Sequence, residues 1–215
     1  HPGLTGIQVL DAGRDAFSAR LHMIRDAKHS IDVQYYMWNT DLSGSLLFRE
    51  ILHAADRNVS VRILLDDNTT VGNDAQLSAL NSHRNIQIRL FNPFMLRKFR
   101  LLNYLVDFRR LNRRMHNKSL TVDGVATIVG GRNIGDAYFN ATEGMQFSDM
   151  DVVAVGHAVT AVSKSFERYW NSKYSFAAET VLEKPTAAAL EHLRTELKFL
   201  AQGEVASAYI EMLGK

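Results

Sequence analysis

Three side chains in one short stretch of this chain can carry out phosphoryl chemistry. They are the imidazole of His116, the ammonium of Lys118 and, past a glycine pair, the carboxamide of Asn133. The imidazole can attack phosphorus, while the cation and the amide meet charge on the phosphoryl oxygens. Gly130 and Gly131 let backbone approach those oxygens, and Asp123 follows Lys118 after four intervening residues. The set occurs once. No second His-x-Lys with a following Asp and Gly-rich turn exists in the 215 residues.

The flanking residues suggest how these groups meet. Ser119-Leu120-Thr121-Val122 alternates polar and apolar, which predicts a strand with His116, Lys118 and Leu120 on one face. Asp123-Gly124 is a two-residue hairpin signal, and 125–129 is the returning strand. Gly130-Gly131 then ends beside the start of the first strand, so Asn133 comes back toward His116 and Lys118. In this reading Asp123 is a structural cap for the hairpin, neither acid nor base.

The pattern His116-x-Lys118-x4-Asp123-x6-Gly130-Gly131-x-Asn133 resembles the signature of the phospholipase D superfamily. Further stretches resemble its bacterial cardiolipin synthase branch: 30–38 (SIDVQYYMW), 61–67 (VRILLDD), 113–118 (RRMHNK), 131–139 (GRNIGDAYF) and 149–152 (DMDV). The resemblance covers roughly residues 5 to 175. It implies phosphatidyl transfer or phosphodiester exchange on phospholipids through a phosphohistidine, with no metal and no cofactor. Members of this branch carry two such motifs in a chain of about twice this length, so one motif implies a partner: a second motif-bearing half or a homodimer.

The same resemblance supplies roles. His116, Lys118 and Asn133 are expected at the phosphate, with Gly131 beside them and Tyr35 or Tyr36 at the border of the site. A carboxylate should set the tautomer of His116. Asp149 is the first choice, since it matches the family's downstream acid, and Asp151 and Glu143 follow. Arg132 is expected at solvent or at lipid phosphate. Asp66-Asp67-Asn68 offers adjacent oxygens, either for a cation or for hydrogen bonds to neighbouring loops.

Charge is unevenly spread. Between Phe94 and Arg114 stand seven basic residues against one acid, a local +6 that leaves −4 for the rest of a chain of net charge +2. Apolar residues interleave them, as in an interfacial helix on anionic lipid, with a solvated surface helix as the other reading. Arg97, Lys98, Arg100 and Arg114 are the candidate lipid or phosphate contacts. Charge alone would attract nucleic-acid phosphate equally, but the resemblance favours an anionic phospholipid such as phosphatidylglycerol at a membrane surface over nucleic acid. It also implies the bacterial inner membrane, with peripheral or anchored attachment.

With 46% hydrophobic residues, the chain can bury one substantial core. No apolar run is long enough to span a bilayer, and zero cysteines exclude disulfides. The chain opens on His1, which is compatible with a leader or anchor outside it. Helix is expected near 15–27, 44–55 (capped by Ser43, with a left-handed stop at Asn58), 74–81 and 159–170, and strand near 31–37, 59–65, 86–91 and 151–155. This alternation predicts an α/β fold, a mixed and largely parallel sheet flanked by helices. Residues 1–175 read as a catalytic half domain and 176–215 as a helical connecting segment. In the latter, Leu190, Leu193, Leu197 and Leu200 form a stripe that packs either on the main domain or on an absent half.

Overall fold

The computed structural model describes residues 3–94, 97, 111–142 and 146–213. The centre of the fold is a run of strand and helix: β2 (Ser30–Tyr35), α2 (Leu42–Asp56), β3 (Ser60–Asp66), α3 (Asp74–Asn81) and β4 (Ile86–Phe91). Each connection is a helical crossover, so β2, β3 and β4 lie parallel.

On the other side of β2 the sheet reverses direction. The hairpin of β5 (Ser119–Val122) and β6 (Ala126–Gly130) pairs antiparallel with β2, and β7 (Asp151–Gly156) and β1 (Thr5–Leu10) follow, also antiparallel. β8 (Ser175–Ala177) closes the far edge on β4. The order is β1-β7-β6-β5-β2-β3-β4-β8. The mixed α/β class with flanking helices holds, but parallel pairing is the minority, a correction to the expected balance. Helical crossovers join neighbouring strands at β2, β3 and β4. The tight turn after β5 reverses the chain, and the edge strands β1 and β8 carry no strong alternation of their own.

Alternation along β3 divides the interior in two. Val61, Ile63 and Leu65 enter the main core, which also holds Phe17 and Ile24 of α1 (Gly13–Asp26) and Leu47 and Ile51 of α2. Leu64 faces the other way, into a smaller cluster with Phe91, Met115 and two residues of α5 (His157–Trp170), Phe166 and Trp170. Met115 immediately precedes His116, so the candidate nucleophile starts from a buried anchor.

Local signals behave as their chemistry requires, with one shift. Asn58 takes the left-handed conformation (φ 68) that ends α2. The cap of that helix is Asp41, not Ser43, and its carboxylate accepts from the Gly44 amide at 3.2 Å. Short helices follow β6 at α4 (Asp136–Phe139) and β8 at α6 (Ala178–Val181). The last two helices, α7 (Ala189–Gln202) and α8 (Glu204–Leu213), pack on the main core. Leu193 and Leu197 are buried in it, with Leu190 and Leu200 against its edge. Tyr209 sits 5.3 Å from Phe17 and donates its hydroxyl to the Phe139 carbonyl at 2.9 Å. The leucine stripe therefore faces its own domain, and the boundary expected near 175 falls at the start of β8. Among the described residues no helix is long and apolar enough to cross a membrane.

Candidate active site

The hairpin forms as its sequence requires. Asp123 (φ 54) and Gly124 (φ 63) are both left-handed, and the Val125 amide donates to the Val122 carbonyl at 3.0 Å, the geometry of a primed turn. The Asp123 carboxylate accepts from three backbone amides, Lys28 (2.9 Å), His29 (2.7 Å) and Ser30 (2.8 Å). Burial opposes its charge, but these amides outweigh burial and hold the carboxyl below its usual range. It pins the entry to β2 at the hairpin tip, seven residues and roughly 20 Å of strand from His116. Asp123 is thus outside the site.

At the open end of the hairpin His116 is exposed, and its imidazole lies against Tyr36, with centroids 4.2 Å apart and planes inclined at 31°. Tyr35 and Tyr36, equivalent candidates in sequence, separate here. Tyr35 is buried and accepts a hydrogen bond from Arg20 Nε at 3.0 Å, while Tyr36 borders the site. The Lys118 ammonium sits 5.9 Å from the Tyr36 ring and donates to the His116 carbonyl at 2.8 Å. Burial lowers the Lys118 pKa, against the upward pull of Asp149 and Asp151.

Asp149 is partly buried, and its carboxylate occupies the space beside the Cα of Gly131, where a β-carbon would collide with it. Its charge acts on Lys118. Among the described residues no hydrogen bond reaches the His116 ring from Asp149. Asp151, the second candidate partner, is committed elsewhere. It is buried against Arg20 (2.8 Å) and Arg132 (3.7 Å) and accepts from the Arg132 amide at 3.2 Å. Arg132 is also buried, donating to the carbonyls of Leu10, Asp11 and Tyr138. This corrects its expected place at solvent or lipid. A buried carboxylate without cationic partners is costly, and these two arginines supply them. Glu143 lies outside the described residues.

Asn133 is buried beside the site. Its Oδ1 accepts from the Met37 amide at 3.1 Å and its Nδ2 donates to the Tyr138 hydroxyl at 3.0 Å. The carboxamide thereby ties the loop after β6 to the end of β2, next to Tyr36. In the sequence Tyr138 stands out only as a member of the stretch 131–139. Its hydroxyl as the partner of Asn133 depends on a helical turn that returns over the loop.

The basic residues divide. Arg97 pairs with Asp67 and Asp74, and Arg114 with Asp66 at 3.1 Å, so neither presents its charge to a lipid surface as expected. Asp66 and Asp67 are fully buried, and their oxygens serve neighbouring loops. Asp67 accepts from the Phe94 amide at 2.8 Å, and Asp66 from the amides of Asn68 (2.9 Å) and Met115 (2.8 Å). Burial raises the Asp66 pKa despite the opposing pull of those amides and of Arg114. Lys98 and Arg100 lie outside the described residues.

Comparison with known proteins identifies the family of the chain. The family described as "Cardiolipin synthase, PLD-like domain" matches residues 21–170. Cardiolipin synthase C of Escherichia coli K12 is 55% identical over 185 residues, 86% of this chain and 39% of that protein. The major cardiolipin synthase of Bacillus subtilis 168 is 31% identical over 170 residues, 77% of this chain and 33% of that protein. The chain therefore spans about two-fifths or less of the length of these relatives. Among solved structures, phosphatidylserine synthase of Haemophilus influenzae Rd KW20 aligns with a TM-score of 0.62 at 18% identity, covering 92% of this chain and 44% of that one. Nuc of Salmonella typhimurium, a phospholipase D family member, aligns at 0.58 and 18% identity, over 81% of this chain and 98% of that one. At these identities the structural likeness concerns the fold.

Proposed function

Because the chain belongs to the cardiolipin synthase family of phospholipase D-like domains, we propose that it supplies one half of a site for phosphatidyl transfer between phospholipids. The observation that carries this reading is the exposed His116 imidazole, braced on Tyr36 and adjoined by Lys118. In the proposed reaction a ring nitrogen of His116 forms a bond to phosphorus as the bond to the leaving alkoxide breaks. A second imidazole, from a second motif, gives that alkoxide its proton. It then takes a proton from the acceptor hydroxyl, which displaces His116 and restores both groups.

The chain's own residues prepare this step. The Lys118 ammonium, partly removed from water, meets charge on the phosphoryl oxygens more strongly than an exposed lysine would. Asn133 can offer the amide hydrogen not directed at Tyr138. Burial disfavours the charged form of Lys118, and Asp149 opposes that pull. The substrate class is an anionic phospholipid such as phosphatidylglycerol, met at the surface of the bacterial inner membrane, and the acceptor is a lipid hydroxyl or water.

A second reading is that two copies of the chain pair their single motifs into a phosphodiesterase. It draws support from the one motif present and from the compact Nuc fold, nearly all of which the chain covers. Measuring the mass of the chain across concentration, with phosphodiester hydrolysis assayed on the same fractions, separates the two. An inactive monomer is expected for half of a transferase site, and an active dimer favours the second reading.

A further inference from the structure

The segment leading into His116 is held more tightly than a surface loop requires. Asn92 Nδ2 donates to the Arg113 carbonyl at 2.7 Å. Arg114 Nη1 reaches Asp66 Oδ1 at 3.1 Å and the Asn92 carbonyl at 3.2 Å. The Met115 amide donates to Asp66 Oδ2 at 2.8 Å, while its side chain is buried among Leu64, Phe91, Phe166 and Trp170. Gln34 Nε2 approaches its sulfur at 3.0 Å.

Asp66 is common to both sides of the imidazole. One of its oxygens also accepts from the Asn68 amide at 2.9 Å, and Asn68 Nδ2 donates to the Tyr36 hydroxyl at 3.3 Å. A single carboxylate at the end of β3 thus fixes the backbone one residue before His116. Through Asn68 it also steadies the ring on which the imidazole lies.

We infer that Asp66 is a positioning residue for His116, setting the height and tilt of the imidazole over Tyr36 without touching substrate. The buried carboxylate has rigid donors on three sides, so replacing one of its oxygens leaves either the Met115 amide or the Arg114 and Asn68 donors without an acceptor. The consequence for catalysis rests on His116 being the nucleophile proposed above. The geometric consequence does not.

The test uses the whole chain with labelled histidines. The His116 ring signal is identified by its loss in His116→Ala, and stacking on Tyr36 should displace it upfield. In Asp66→Asn that signal is expected to move toward its position in Tyr36→Ala, with the other histidine signals unmoved. A folded Asp66→Asn variant whose His116 signal stays in place overturns the inference. Should that variant not fold, amide exchange in the unmodified chain decides. The Met115 amide is expected to exchange as slowly as that of Leu120 in β5, and exchange at open-loop rates overturns the inference.

Where phosphohistidine forms on a soluble phosphodiester, Asp66→Asn is expected to slow it on the order of 100-fold, with KM changed by about twofold or less. If the protein supplied with its second motif-bearing half forms no phosphohistidine, the nucleophile assignment fails, and the ring signal still decides the positioning role.

Discussion

The imidazole of His116 lies tilted over the ring of Tyr36, 4.2 Å between centroids, although 80 residues separate them in sequence. The contact follows from strand register. β2 and β5 run antiparallel with Gln34 opposite Ser119, so the residues just past β2 meet those just before β5. The nucleophile candidate therefore rests on a side chain delivered by the neighbouring strand.

This contact separates two substitutions. Tyr36→Phe keeps the stacked ring and loses only the bond from Asn68, so in the protein carrying both motifs phosphohistidine formation should stay within about fivefold of the unmodified rate, what one hydrogen bond of ~1 kcal/mol is worth. Tyr36→Ala removes the platform, and a loss of roughly 10- to 100-fold is expected from the misplaced imidazole. Equal rates for the two variants would mean that the ring is bystander surface.

Lys118 gives a prediction with a definite sign. Burial holds its pKa below the ordinary lysine range, and Asp149 and Asp151 pull it back up. Asp149→Asn removes one upward pull, so the pKa should fall further and the alkaline limb of the rate profile should move to lower pH. Following the Lys118 side-chain carbon signal through a pH titration checks this directly. An unchanged or raised midpoint would break the link between Asp149 and Lys118.

The hairpin and its turn were legible because the determinants of a primed turn and of strand alternation are local. The left-handed stop at Asn58 was legible for the same reason. The fates of Arg97, Arg114 and Arg132 were not, because a basic side chain is written identically whether it meets solvent or a buried acid. Their partners Asp67, Asp66 and Asp151 lie 19 to 48 residues away in sequence. Part of the antiparallel majority comes from β1 and β8, whose exposed edges show little of the burial that gives a strand its pattern.

The two adjacent glycines should respond differently to alanine. A β-carbon on Gly130 would lie 2.6 Å from both the Asp151 Cα and the Met150 carbonyl oxygen, backbone that β7 cannot easily move. Gly130→Ala should cost about 1–3 kcal/mol of stability, as overpacking does. On Gly131 the collision is with the Asp149 carboxylate, a side chain able to rotate away. Gly131→Ala should therefore lose activity through Lys118 while melting close to the unmodified chain. Urea unfolding beside a rate measurement checks the pair, and a reversed order would show that the loop, not the strand, carries the constraint.

Asp123 should matter to stability far more than to chemistry. Its carboxylate accepts three amides at the hairpin tip, so Asp123→Ala should cost about 1–3 kcal/mol, with a further ~1 kcal/mol for a left-handed alanine. Asp123→Asn keeps the left-handed tolerance and loses the charge. The native carboxyl titrates below its unfolded value. Its contribution is therefore complete above the ordinary carboxylate range and disappears as pH falls through the depressed native value. The gap in urea midpoint between the unmodified chain and Asp123→Asn should be widest near neutral pH and close below about pH 4. A gap that stayed constant down through that range would show that the amides recognise the oxygen atoms and not their charge.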